Sequence, residues 1–270
     1  MKVVLFGSTG MLGRYVHKIL DENHQIICIT RADFDICSDS WEKLTGIIKN
    51  TLNQGDLIIN CAGSIPQKYN SDNYKQFIRV NSLFPHKLND IAKHNNYRFI
   101  HVTTDCVFDG KEGNYALEHA HTAKDIYGIS KSLGEPDDYA TIIRTSIIGE
   151  ELSGKRSFIE WIKSNRGKTI NGFTNHYWNG VTCLTVAKII KQVINDDCFW
   201  KGVRHICSPN AVTKYELCEI VNDAYKLNIE ILPREDTVMK NMTLIGNDLY
   251  IIDEIQTQIE EQYLTNIIIR

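Results

Sequence analysis

With 270 residues, 43% of them hydrophobic, the chain can bury a substantial core without disulfide or metal support. Its 30 Lys+Arg against 33 Asp+Glu leave a formal charge of -3, with no block of like charges, so there is no electrostatic case for nucleic-acid or membrane-surface binding. No stretch holds the roughly 18 uninterrupted apolar residues of a membrane span, and MKVVLFG meets glycine too early for a signal-peptide core; a cytoplasmic protein with small-molecule partners is expected.

In chain order, the first half alternates strand-like and helix-like segments: VVLF, MLGRYVHKIL, QIICIT, WEKLTGIIKNTL and DLIINCA, then FIRVNSLFPHKLNDIAKH, YRFIHVTT, the segment around YGISK, and TIIRTSII. Near-continuous Val/Ile runs belong to strands buried on both faces, so the pattern predicts an α/β fold with a doubly wound parallel sheet. Beyond Gly149 the rhythm changes. RSFIEWIKS reads as a helix, GKTINGFTNHYWNG as turn-rich, CLTVAKIIKQVI as an amphipathic helix and VRHICS as a strand returning to the sheet. TKYELCEIVNDAYKL reads as a helix with Thr213 as N-cap and Glu216 three residues on. Met239 to Met242 reads as lobe packing, and the tail IDEIQTQIEEQ as a solvated helix. The division expected is a dinucleotide-binding domain over 1–150 to which 181–207 return, with 151–180 and 208–270 forming a substrate-binding lobe. The eight cysteines include no C-x-x-C pair and His-x-x-x-His is absent, so no metal site is expected; the cysteines read mostly as small buried hydrophobes in a reducing compartment.

GSTGMLG, residues 7 to 13, lies between the strand KVVLF and an apolar-periodic helix. The spacing of Gly7, Gly10 and Gly13 permits a tight turn and lets the backbone approach a pyrophosphate, whose charge sits on the helix N-terminus; a purely structural turn is the bland alternative. The second strand ends at Thr30-Arg31, where an NAD-preferring site places a carboxylate against the ribose hydroxyls. Arg31 suits a 2′-phosphate instead, so NADPH is the expected cofactor, with NADH left open by the nearby Asp33. A solvated surface arginine is the other reading. Asp35 and Ile36 are placed beside the adenine.

In YGISK, Tyr127 and Lys131 are at i and i+4 and share a helix face. Bringing a phenol from a pKa of about 10 toward about 7 takes roughly 4 kcal/mol of phenolate stabilisation. A cation about 4 Å away in an effective dielectric of about 20 supplies a similar amount. Lys131 is therefore expected to make Tyr127 a usable acid near neutral pH and to hold the nicotinamide ribose. Alone, Y-x-x-x-K is common by chance and describes a solvated helix face. Upstream, however, FIHVTTDCVFDG ends a strand with Thr103, Thr104 and Asp105, and ligands bind at the carboxyl ends of strands in such sheets. A hydroxyl there can hydrogen-bond a substrate carbonyl and share a proton network with Tyr127.

GSTGMLG, DLIINCAG, VNSLFP, TTDCVFDG, YGISK and RTSIIG occur in an order that resembles the extended short-chain dehydrogenases, and most closely the dTDP-4-dehydrorhamnose reductase group of sugar-nucleotide reductases. The resemblance is firm over roughly residues 1 to 150 and continues more loosely to the end. It implies a Rossmann domain of the extended type with a small C-terminal lobe, and Thr104, Tyr127 and Lys131 as the catalytic set. It further implies that Gly7, Gly10, Met11, Leu12 and Gly13 cradle the pyrophosphate, that Cys61, Ala62 and Gly63 line the cofactor, and that Asn81 supports the active-site helix beside it. Thr103 is placed with the cofactor; Asp105, Cys106 and Ser146 are placed with the substrate, together with Asn175, His176 and Trp178 of GFTNHYWNG, whose amide and aromatic side chains suit sugar hydroxyls and stacking. The partner implied is a nucleotide sugar, the product serves surface polysaccharide synthesis, and a homodimer is the candidate assembly.

Departures from the family pattern narrow the chemistry. Sugar-nucleotide dehydratases usually read T-D-E at the strand end, whereas this chain reads Thr104-Asp105-Cys106; without the glutamate, simple reduction is favoured over elimination. The rhamnose reductases usually carry tyrosine where Cys106 stands. A cysteine beside the catalytic hydroxyl also serves epimerisation in the GDP-fucose synthase group, so a bifunctional epimerase/reductase using Cys106 is one rival. It needs a histidine that RSFIEW does not supply, leaving His176 as the nearby candidate. The other rival is a cofactor-binding regulatory subunit, like the partner of methionine adenosyltransferase. Arg144 reads either as a structural pair or as a diphosphate contact.

Overall fold

Val3, Val4, Leu5, Leu57, Ile58, Ile59 and Ile100 are all at 0% exposure, as apolar runs are in a sheet covered on both faces. The computed structural model describes residues 1–66, 72–151, 156–246 and 250–269. The chain begins β1 (Lys2–Phe6), α1 (Met11–Leu20), β2 (Gln25–Ile29), α2 (Trp41–Thr51) and β3 (Leu57–Asn60). A long helical run follows as α3 (Tyr74–Phe77), a π-helical turn over Ile78–Leu83, and α4 (Phe84–Asn95). Next come β4 (Arg98–Thr104), α5 (Ile126–Ser132), β5 (Thr141–Thr145), β6 (Ile147–Ile148), α6 (Phe158–Lys163), β7 (Thr169–Phe173), β8 (His176–Trp178), β9 (Val181–Thr182) and α7 (Cys183–Asn195). The last elements are β10 (Gly202–His205), β11 (Val212–Thr213), α8 (Lys214–Tyr225), β12 (Glu230–Arg234), β13 (Lys240–Asn241) and α9 (Ile255–Ile269).

Six of the strands form one parallel sheet in the order β10-β5-β4-β3-β1-β2. Strand order reverses between β1 and β3, so the crevice where ligands bind such sheets opens beside Gly7 and Cys61. Helix α7 packs on α1, and β10 adds the edge strand beside β5.

The second half departs from expectation in two places. GKTINGFTNHYWNG is not a loop: β7 pairs with β12, and β8 lies between β11 and β13. Those partners lie far along the chain, so no local pattern announces the strands. The tail is not a solvated helix either, since Ile255, Gln258, Ile259, Gln262 and Asn266 of α9 are buried. The Asn266 Oδ1 accepts the Tyr15 hydroxyl at 3.0 Å, and the Gln258 Oε1 accepts the Thr182 N–H at 3.1 Å. Amides spaced i, i+4, i+8 carry that buried face, which is why it reads as polar. The capping box on α8 is present: Thr213 Oγ1 accepts the Glu216 N–H at 3.1 Å, and the Glu216 carboxylate accepts the Thr213 N–H at 2.6 Å. All eight cysteines are free, with Cys37 and Cys198 exposed. Among the described residues there is no helix long and apolar enough to cross a membrane and no group of residues arranged to hold a metal.

Candidate active site

The turn after β1 starts with Gly7 at φ +80°, in the left-handed region open to glycine. A β-carbon on Gly7 would lie 2.6 Å from the Ala62 backbone nitrogen, and one on Gly13 would lie 2.1 Å from the Gly7 carbonyl oxygen. The loop is therefore wedged between the end of β3 and the first turn of α1. Gly10 occupies the N-cap of α1 with no side-chain cap, and the first turn holds no acidic residue, so its N–H groups are left for an anion. The cleft in front is lined by Gly7, Ser8, Thr9 and Gly10, by Arg31, Asp35 and Ile36 beyond β2, and by Cys61, Ala62 and Gly63 beyond β3. Met11 faces the neighbouring cleft instead, and the Leu12 side chain packs in the core.

Arg31 is exposed at the mouth of this cleft. Asp33 is turned away from it, its Oδ2 accepting the Thr30 N–H at 2.9 Å and the Thr30 hydroxyl at 2.7 Å, which holds the carboxyl below its usual range. Asn81 lies behind the cleft. Its Oδ1 accepts the Ser64 N–H at 2.8 Å, while its Nδ2 donates to the Ser64 carbonyl at 2.9 Å and to the Ser130 hydroxyl at 3.0 Å. Asn81 thereby ties the chain beyond β3 to α5, an orienting part.

Helix α5 is capped by Asp125, whose carboxylate accepts the Gly128 N–H at 3.0 Å. A β-carbon on Gly128 would sit 2.3 Å from the Cys106 carbonyl oxygen, so glycine lets α5 press directly on the turn after β4. That contact sets Tyr127 and Thr104 on the wall of one cleft. Thr104 Oγ1 accepts the Cys106 N–H at 3.2 Å and donates to Asp105 Oδ1 at 3.1 Å. One helical turn on, Lys131 is buried, and its Nζ lies 3.1 Å from where a β-carbon on Gly63 would be. Tyr127 thus faces one cleft and Lys131 underlies the other.

The electrostatics correct one expectation. Burial pushes the Tyr127 phenol up, Cys106, Asp105 and Asp125 add to that, Thr104 opposes it, and the net shift is upward, away from neutrality. The lysine is itself brought down to about 8 by burial, against the pull of Glu135, Cys61 and Cys106. Desolvation outweighs the charge pairing that the i, i+4 spacing provides. Tyr127 therefore holds its proton through the neutral range, as a donor must.

Thr104, Asp105, Cys106, Tyr127 and Ser146 meet in an inner cleft with apolar walls that include Ile65, Ile147, Ile148 and Phe158. An outer cleft shares Asp105, Cys106 and Ser146 and continues to His176, Tyr177, Trp178 and Lys214. Burial raises the Asp105 carboxyl, opposed by Ser146, Thr104, Lys214 and Cys106. Burial and Asp105 both raise the Cys106 thiol, which donates to Asp105 Oδ1 at 3.6 Å. Asn175 lines neither cleft: its side chain donates to the Asp236 carbonyl at 2.8 Å and accepts the Asp236 N–H at 3.0 Å. His176 reaches the outer cleft, but its Nε2 is 2.9 Å from Asp236 Oδ2 and 3.2 Å from the Val238 carbonyl. Thr103 is buried, lines neither cleft, and its hydroxyl has no partner among the described residues. Arg144 is a structural pair, bonded to Glu135 at 3.1 and 2.5 Å and to His205 and His121 at 3.0 and 2.8 Å.

The model of the RmlD substrate binding domain family matches residues 1–240. The chain belongs to this family. Among its relatives, dTDP-4-keto-6-deoxy-D-glucose reductase of Streptomyces niveus is 30% identical, over 79% of this chain and 75% of its own. Methionine adenosyltransferase 2 subunit beta of Danio rerio is 25% identical, over 84% of this chain and 74% of its own. The crystal structure of dTDP-4-dehydrorhamnose reductase from Bacillus anthracis, in complex with NADP, superposes with a TM-score of 0.83 at 16% identity, covering 98% of this chain and 99% of that one. At that identity the likeness is one of fold alone, the doubly wound α/β architecture.

Two parts of this RmlD-family site escape the sequence reading. Ser8 and Thr9 line the cleft at the glycine loop, and their only signal is their place inside that loop. Lys214 reaches the outer cleft from the first helical position after Thr213, where a lysine is electrostatically out of place.

Proposed function

We propose that the chain is an NADPH-dependent reductase that converts the C4 ketone of a nucleotide-activated 4-keto-6-deoxy-sugar to an alcohol, in the synthesis of a surface polysaccharide. The observation that carries this reading is the placement of Tyr127 and Thr104 together on the inner cleft while Lys131 underlies the adjoining cleft at the glycine loop. The wedged glycines and the uncapped start of α1 fit a pyrophosphate, and Arg31 at the mouth fits a 2′-phosphate. The Streptomyces niveus relative is named for the same class of reaction.

The bound cofactor supplies the hydride that reaches C4. Tyr127, kept protonated by burial, gives its proton to the carbonyl oxygen as negative charge develops there. The Thr104 hydroxyl, positioned by the Cys106 N–H, turns its proton from Asp105 to the same oxygen when the substrate is bound. Lys131 holds the ribose and places a positive charge beneath the reacting groups. Reduction without epimerisation is the better reading, because the Cys106 thiol is held neutral and His176 is committed to Asp236. The regulatory reading has one observation in its favour, the Danio rerio relative, and against it the intact Thr104, Tyr127 and Lys131.

The test is consumption of NADPH, followed by its absorbance, with enzymatically made dTDP- and UDP-4-keto-6-deoxy-sugars. Turnover with either supports the reductase. NADPH binding with no turnover on any such substrate favours the regulatory reading, and solvent deuterium at the sugar carbons beside the ketone favours the epimerase.

A further inference from the structure

Lys214 opens α8, directly after the Thr213–Glu216 capping box. A cation in a helix's first turn opposes the macrodipole, and burial lowers this lysine's pKa. Neither term favours a lysine at this position. Its ammonium is nonetheless held 4.9 Å from the Phe158 ring centre and 5.0 Å from that of Trp178, on the wall of the outer cleft. Asp105 is the acidic group that acts on it most strongly, and that carboxyl already serves Thr104, Cys106 and Ser146. Ring faces attract the charge without accepting hydrogen bonds as oxygens do, so the ammonium's donors remain for an oxyanion.

We propose that Lys214 anchors the diphosphate of the sugar nucleotide, an inference that rests on the reductase reading of the same site. The outer cleft shares Asp105, Cys106 and Ser146 with the inner one. An anion held at Lys214 therefore directs the sugar inward, over Thr104 and Tyr127, and the nucleoside outward past Tyr177, which is 38% exposed. Lys111, Lys124 and Lys240 line the same cleft but are exposed, where solvent weakens a charge pair. Lys214 supplies the desolvated contact, and a nucleoside diphosphate is the ligand class it recognises.

The experiment is a calorimetric titration of the NADPH-loaded protein with dTDP, UDP and GDP, comparing wild type, Lys214→Met and Lys214→Arg, with NADPH affinity measured separately. Wild type is expected to bind at least one diphosphate. Lys214→Met should weaken it by about 10- to 100-fold, the scale of a lost charge-assisted bond, and Lys214→Arg should retain most of it; NADPH affinity should stay the same in all three. If Lys214→Met does not fold, Lys214→Gln against Lys214→Arg reads the charge in its place. Undiminished binding in the neutral variants overturns the assignment of Lys214 while leaving the reductase reading intact. Wild type that binds NADPH but none of the diphosphates overturns both.

Discussion

The two clefts that meet at α5 are built by opposite means. The cleft proposed for the dinucleotide relies on missing side chains: Gly7, Gly10, Ala62 and Gly63 stand where a β-carbon or a larger side chain would collide or crowd the opening. The substrate clefts are built from titratable side chains, and burial pushes each toward its neutral form: Asp105, Cys106 and Tyr127 upward, Lys214 downward. The first is specified by shape, most tightly at Gly7 and Gly13. The second is specified by charges that lack full local compensation, which is how sites hold protons and anions for use. Substitutions in the one should act through structure, and in the other through chemistry.

Gly13→Ala should give the largest effect, because its methyl would overlap the Gly7 carbonyl. We expect NADPH binding to be abolished and unfolding free energy to fall by more than about 3 kcal/mol, as read by denaturant titration. Lys131→Met should do the reverse. Its folded pKa of about 8 lies below the ordinary 10.5, so the unfolded chain binds more protons between those values. The lysine therefore costs stability at neutral pH, and the cost fades as pH rises through that window. The shift corresponds to about 3 kcal/mol. Lys131→Met is expected to hold or raise Tm near neutral pH while turnover drops by about a hundredfold; a large fall in Tm would blur the contrast between the clefts. Arg31→Ala should weaken NADPH by roughly tenfold and leave NADH unaffected, as read from the two dissociation constants. Cys106→Ser should change reduction by no more than about threefold, and wild type itself should introduce no solvent deuterium into the sugar, since the neutral thiol serves Asp105 and not the substrate.

The same contrast explains what the sequence discloses. The glycine loop, the ends of β3 and β4, and YGISK are each read from contiguous residues, because a strand-to-helix turn and an i, i+4 pair are local geometry. The pairs of the second half are not local. Asn175 and His176 look like sugar contacts in a polar loop, yet β8 aligns them with the chain near Asp236 and Val238, which uses both side chains. Lys214 sits within an ordinary capped helix, and only the packing of that helix against Phe158 and Trp178 reveals it. The pKa of Tyr127 departs from the expectation for a related reason: spacing specifies the neighbouring cation but not the burial that outweighs it.

The central claim is that Tyr127 delivers the proton. Its most direct test is kcat/KM for NADPH-dependent reduction of the accepted 4-keto-sugar by Tyr127→Phe, with NADPH affinity measured alongside. A loss of about a thousandfold with unchanged NADPH affinity is the predicted result, whereas a phenylalanine variant that reduces the ketone at the wild-type rate would contradict it.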